Sequence, residues 1–274
     1  AGSMRVVPAL PDAPVLGHLH ELSVGLDLHL GPIARRHVAT ADRYVAVSDG
    51  VRAEFLARFA VDPTRVERQW GFVDLDRLPA DPPGAGIEPV AEEMVVVSSG
   101  VRHWRKAPEL FVRVALAARA LAPEIPWRFV WVGGHDVGGL EDLVEQAGLG
   151  DLITFLPHQD DPLTWIASAD VFVLPAREDA FPLVCVEAAA LGRPIVTFDN
   201  GGAAELTTVA GAGRVVPFPD TWAMGAVLVD LARDPAGRAA LAQAARTFAR
   251  RELLLSTAGP RLLRSIRATA GMSP

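Results

Sequence analysis

The chain has 274 residues, half of them hydrophobic, which is enough for one large or two modest cores. A formal charge of −7 and the lack of any aromatic–basic platform argue against a nucleic-acid surface. One cysteine, Cys185, excludes an internal disulfide and fits a reducing cytoplasm, and no apolar run approaches the roughly eighteen residues of a membrane span. No charged-then-apolar leader is apparent, and Ala1-Gly2-Ser3 before Met4 reads as an expression scar.

In chain order, residues 14–19 read as a strand that runs into His18-Leu19-His20-Glu21. A helix is predicted over 32–40 and a short strand over 43–47. Ser48-Asp49 can cap a helix over 50–59, with Val51, Phe55 and Phe59 on one stripe. A strand over 65–69 precedes Trp70-Gly71-Phe72-Val73-Asp74. Residues 78–93 carry Pro79, Pro82, Pro83, Gly84, Gly86 and Pro89, so they can continue neither helix nor strand and form a linker.

A cleaner α/β alternation follows. The buried strand 94–99 ends in Gly100-Val101-Arg102-His103-Trp104-Arg105-Lys106, and Pro108 suits the first position of the next helix. Three cations and a histidine in an acidic chain, at the C-terminal end of a parallel strand, point to an anionic partner such as a diphosphate. Strand 128–132 runs into Gly133-Gly134-His135, helix 140–147 stops at Gly148, and strand 153–156 leads to Pro157-His158. A short helix over 161–168 precedes the stretch around which the chain is organised.

That stretch is 170–206. Strand 171–174 ends at Pro175, and the polar loop Arg177-Glu178-Asp179 leads into a helix that opens near Pro182 or Leu183 and carries Val184, Val186 and Glu187. Gly192 closes the helix, and strand 195–198 ends in what reads as a glycine turn, Gly201-Gly202. Ligands of open parallel sheets bind at this edge. Carboxylates at Asp179 and Glu187, one in the loop and one in the helix, can each accept paired hydroxyls of a vicinal diol. The opening helix amides near Leu183 and Val184 suit a phosphate. Read alone, such acids would only complement a helix dipole. After Glu205 come a strand over 213–216, helices over 222–233 and 236–251, and an Arg-rich amphipathic tail.

Asp179-Ala180-Phe181-Pro182-Leu183, Glu187-Ala188-Ala189, Gly192-Arg193-Pro194 and Gly201-Gly202-Ala203-Ala204-Glu205 resemble the signature of retaining, family 4 (group 1) glycosyltransferases. That signature is an acid, seven residues and a glutamate, then Gly-x-Pro and Gly-Gly-x-x-Glu. The chain departs from it in carrying Asp179 as the first acid, beside Glu178, and Pro182 for the usual glycine. Lys106, six after Gly100, matches the family's diphosphate lysine, while Val101 stands where an arginine is usual, so Arg102 or Arg105 supplies the second cation. The resemblance covers 94–250 closely and 14–75 more loosely, where no counterpart of the family's opening glycine-rich loop stands before His18.

What the resemblance implies is an α/β fold of GT-B type with two Rossmann-like domains. Residues 4–78 are a reduced acceptor-side domain, 79–93 a linker, 94–250 a complete donor domain, and 251–274 a helix returning to the first domain. The implied reaction moves a sugar from a nucleotide diphosphate sugar to a hydroxyl acceptor with retention of configuration, without metal or cofactor. The acceptor class is open among glycan, lipid and small molecule. Glu178 or Asp179, with Lys106 and His20, form the implied catalytic set. Gly100, Arg102, Arg105, Lys106, Gly133, Leu156, Pro157, His158, Phe181, Pro182, Leu183, Val184 and Glu187 form the donor site, with the base held by backbone groups at 156–158. The alternatives are a non-catalytic nucleotide-sugar-binding protein or fragment, and a nucleotide-sugar 2-epimerase. A reduced first domain leaves a sheet edge for a second copy or a partner chain. The expected location is the cytoplasm, including the inner membrane face.

Overall fold

The computed structural model describes residues 13–22, 40–74, 93–134 and 138–272. The helix expected over 32–40, apart from Thr40, the linker expected over 79–93, apart from Glu93, and His135 lie outside them. Two parallel sheets organise the described chain.

The smaller sheet has the order β1-β2-β3, with β1 Leu16–Leu19, β2 Arg43–Ala46 and β3 Val66–Arg68. Helix α1, Asp49–Arg58, begins as expected: the Ser48 hydroxyl accepts from the Val51 amide at 3.2 Å, and Val51 and Phe55 are buried. Capping of this kind satisfies one of the orphan N–H groups of the first turn. A 3-10 turn, Pro63–Arg65, takes the first residue expected of β3.

The larger sheet has six strands in the order β6-β5-β4-β7-β8-β9. Its elements are β4 Met94–Ser99, α2 Pro108–Leu121, β5 Trp127–Val132, α3 Leu140–Gln146, β6 Ile153–Leu156, α4 Leu163–Ala167 and β7 Val171–Leu174. Helix α5 Leu183–Ala190, β8 Ile195–Phe198, α6 Gly201–Ala210 and β9 Gly213–Val216 follow, then α7 Thr221–Arg233, α8 Pro235–Glu252 and α9 Leu255–Thr269. Strand order reverses at β4, whose neighbours are β5 and β7, and that reversal places the loops after β4 and β7 side by side.

Every residue of β4 is buried, and its alternation divides the core. Met94 and Val96 pack with Phe111, Val114 and Leu228 of α2 and α7. Val95 and Val97 face Ile166, Val186 and Phe248, and this second cluster runs on into Leu19, Val47 and Phe55 of the small sheet. One apolar core therefore joins the two sheets. Helix α9 packs on β1, and the Val73 and Leu255 segments exchange backbone bonds: Val73 N–H to Leu253 at 3.0 Å, Leu255 N–H to Val73 at 3.0 Å.

One expectation is corrected here. Gly201-Gly202 is not a turn between strands but the first turn of α6, a helix absent from the sequence reading. Glycine is a poor helix former, and tertiary packing overrides that propensity. A side chain at Gly202 would stand 2.2 Å from the Ala180 carbonyl, so the helix start requires glycine to approach the preceding loop.

Candidate active site

The site forms where the β4–α2 and β7–α5 loops meet. Lys106 arises in the first, Asp179 in the second, and their side chains pair at 2.7 Å with 18% and 12% exposure. The Lys106 stem lies across Gly100, where any Cβ would meet its Cε at 3.4 Å and where φ is +146°. Ala107 then takes a left-handed conformation, φ 54° and ψ 58°, before Pro108 starts α2. A non-glycine residue in this region costs roughly 1–2 kcal/mol, strain that the fully buried Ala107 carries beside the lysine.

The Asp179 loop is tied down from both sides. The Arg177 amide donates to the Arg105 carbonyl at 2.8 Å, and the Arg177 guanidinium donates to the Trp104 carbonyl at 2.8 Å and pairs with Glu109. From β8 and α6, Asn200 donates to the Arg177 carbonyl at 2.9 Å and Gly202 N–H to the Asp179 carbonyl at 2.9 Å. These bonds fix the loop backbone that carries Asp179, independently of Lys106. Glu178 lies beside it, partly buried.

Helix α5 supplies the rest. Pro182 is its N-cap and Leu183 and Val184 its first residues, whose amides have no partner within the helix. Phe181 is buried and Leu183 half exposed, and both touch the Gly71 backbone position of the 70–73 segment. Glu187 stands one turn in. Burial pushes its carboxyl up to about 7, partly offset by the Lys106 charge. The neighbouring Cys185 is fully buried and its thiol is raised well above the ordinary range by the same burial, which makes it packing rather than nucleophile.

Across from these loops, Glu21 at the end of β1 meets Arg105 at 3.5 Å. The His18 and His20 rings meet at a tilt of 60°, with 4.1 Å between centroids. Both rings keep surface toward solvent, yet surrounding protein atoms disfavour their charged forms. His18 falls to about 4, with His20 adding repulsion; His20 is lowered too, though Glu21 opposes the shift. Neutral imidazoles here are hydrogen-bonding groups rather than fixed cations.

The expected residues divide accordingly. Gly100, Arg105, Lys106, Asp179, Phe181, Pro182, Leu183, Val184 and Glu187 sit on or beside the two adjoining loops. Arg102 does not face the site: it is 3% exposed, paired with Glu141, bonded to the Gly134 carbonyl at 3.2 Å and stacked on Phe155. Those partners draw Arg102 under the chain, and Arg105 is the partly exposed cation beside Lys106. Gly133 donates to the Leu156 carbonyl at 3.1 Å, and the Pro157 carbonyl accepts from Gln159 at 3.3 Å. Pro157 and His158 are exposed, and His158 lies 4.0 Å from Asp160.

One site-forming residue had no role in the sequence reading. Glu205, the last residue of Gly-Gly-x-x-Glu, accepts from the Trp70 indole at 2.6 Å and the Asp49 amide at 2.8 Å. It therefore fastens the small sheet to the helix that backs Asp179. The five-residue spacing made it visible as a motif, but only the fold shows its partners.

The family model for glycosyl transferases group 1 matches residues 92–234. D-inositol 3-phosphate glycosyltransferase of Salinispora arenicola is 33% identical over 236 residues, covering 77% of this chain and 52% of that protein. D-inositol 3-phosphate glycosyltransferase 2 of Catenulispora acidiphila is 30% identical over 234 residues, covering 78% and 54%. The chain thus spans about half the length of the curated relatives it matches. Among solved structures, Anabaena Alr3699/HepE in complex with UDP superposes with a TM-score of 0.81 at 20% identity, covering 97% of this chain and 75% of that one. Sucrose-phosphate synthase from Thermosynechococcus elongatus gives 0.81 at 22% identity, covering 97% and 71%.

Proposed function

The chain belongs to the group 1 glycosyl transferases and has their GT-B fold, and from that premise we propose that it binds a nucleotide diphosphate sugar at the Lys106–Asp179–Glu187 site for transfer to a hydroxyl acceptor with retained configuration. The observation that carries this reading is the mostly buried Lys106–Asp179 pair at 2.7 Å, set against the opening amides of α5. Asp179 holds the ammonium in place before a diphosphate arrives. The diphosphate then takes over the cation, with Arg105 beside it, and the freed carboxylate accepts hydroxyls of the donor sugar. Glu187 accepts the ribose hydroxyls.

In the proposed reaction the bond between the anomeric carbon and the diphosphate oxygen breaks, and one to the acceptor oxygen forms on the same face. Lys106, Arg105 and the α5 amides stabilise the negative charge developing on the leaving diphosphate, the electrostatic part of catalysis. The acceptor hydroxyl proton passes to that departing oxygen, so no protein base is required. With cations doing this work, no divalent metal enters the scheme. In this reading His20, beside Glu21 at the end of β1, donates a hydrogen bond to the sugar.

The test is a thermal-shift panel of UDP, GDP, ADP and dTDP, followed by product analysis with the matching sugar nucleotide. A ligand at a hundred times its dissociation constant should stabilise the fold by about 2.7 kcal/mol. A sugar released or transferred with its anomeric configuration kept supports the reading. A product sugar inverted at C2 and still attached to the nucleotide would replace it with epimerisation.

A further inference from the structure

A cavity of about 320 Å³ opens between β3, the outer strand of the small sheet, and helix α9. It shares no lining residue with the Lys106 site. Its wall is cationic: Arg43, Arg68, Arg261 and Arg264 line it against Glu67 and Glu252. The Glu252 carboxylate is already met by Arg251 at 2.9 Å and Arg261 at 2.8 Å. Arg68 lies 3.7 Å over the Trp70 ring, with Asp49 no nearer than 3.7 Å. Arg43 and Arg264 have no ion-pair partner among the described residues, and they are the cations the wall leaves open to a ligand.

Two of the wall residues also carry an unsatisfied buried atom. The Nε of Arg43 and the Oε1 of Glu67 are both shut off from solvent, and neither has a hydrogen-bond partner among the described residues. Val45 pairs with Glu67 across the β2–β3 ladder, so Arg43, two residues earlier, shares the face of Glu67. Buried polar groups are normally satisfied, and a native exception calls for a cause. No solvent-sized group reaches those two atoms, so a ligand meets instead the outer guanidinium nitrogens of Arg43 and the other carboxylate oxygen of Glu67, donors and an acceptor on one face that suit a phosphate oxygen and a hydroxyl.

We propose that this cavity is a binding site for a small hydroxyl-bearing phosphate ester. The phosphate lies among the arginine guanidiniums, whose fork geometry matches its oxygens. The hydroxylated end reaches Glu67, which would repel a bare phosphate and so favours an ester over inorganic phosphate. The volume lies within the usual range of small-molecule sites. A soluble metabolite and a phospholipid head group offer the same chemistry. The site does not depend on the transferase reading, because none of its residues takes part in that reaction.

The experiment titrates sn-glycerol 3-phosphate into the whole chain by calorimetry, with and without saturating UDP. Saturable binding is expected, unchanged by UDP, weaker for inorganic phosphate and absent for glycerol. Arg43→Met should weaken it at least about tenfold, equal to roughly 1.4 kcal/mol. Arg264→Ser, at an exposed position that does not threaten folding, should weaken it several-fold, and Lys106→Ala should leave it intact. Co-sedimentation with phosphatidylglycerol vesicles separates the sources. Pelleting that the soluble ester reverses assigns a head group, and ester binding without pelleting assigns a metabolite. Neither binding nor pelleting, competition by UDP, or binding undiminished in Arg264→Ser would overturn the proposal.

Discussion

Glu187→Gln separates the two consequences of burying this carboxyl. Burial moves it from 4.5 to about 7. Between those values the unfolded chain has lost the proton and the folded chain still holds it. Stability therefore falls as pH rises from 4.5 to about 7 and is level beyond. Relative to low pH, the raised carboxyl lowers stability by about 1 kcal/mol near pH 5, where only the unfolded chain has ionised, and by about 3 kcal/mol near pH 8, where both have. A glutamine keeps the shape and cannot ionise, so the variant should be the more stable protein at neutral pH and above. For a chain of this length about 3 kcal/mol corresponds to a melting shift of about 5 °C. The assay compares variant and wild type by calorimetry at both pH values, which cancels every other titrating group. The gain near pH 8 should be several times that near pH 5, while discrimination between ribose and 2′-deoxyribose ligands is lost. A variant equally stable with wild type at both pH values would refute the claim that Glu187 is buried against its charge.

Arg102→Met should destabilise the fold by about 1–3 kcal/mol, from loss of charge-assisted bonds to Glu141 and Gly134. It should change nucleotide diphosphate affinity by less than about threefold, whereas Arg105→Met should weaken it about tenfold; calorimetric titration reads both, and a reversed order would return Arg102 to the site. Nucleotide binding and any turnover should survive EDTA, and recovery only on adding Mg²⁺ would contradict a metal-free site.

Much of the large sheet was readable because its strands are short apolar runs bounded by Gly and Pro, buried on both faces, as in Met94–Ser99 and Ile195–Phe198. Helix α6 was not, because Gly201-Gly202 carries a signal for close approach that looks the same as a signal for a turn. Within the site, the spacing of Lys106, Asp179 and Glu187 was legible, and their pairing was not. Which of Glu178 and Asp179 meets Lys106 depends on loop bonds from Asn200 and Gly202, some twenty residues away. Arg102 shows the limit most clearly. A charge count along 102–106 assigns it to the ligand, yet a partner almost forty residues on, Glu141, draws it inside.

In the proposed scheme Lys106 moves from Asp179 to a diphosphate when the donor binds. Titrating UDP and uridine into wild type, Lys106→Ala and Asp179→Asn tests it directly. Losing a charge-assisted bond of roughly 1.5–3 kcal/mol should weaken UDP about ten- to over a hundredfold in Lys106→Ala, with uridine nearly unchanged. Asp179→Asn removes the competitor for the ammonium and should bind UDP at least as tightly as wild type. Equal loss of UDP and uridine in Lys106→Ala, or weaker UDP binding in Asp179→Asn, would place the diphosphate elsewhere.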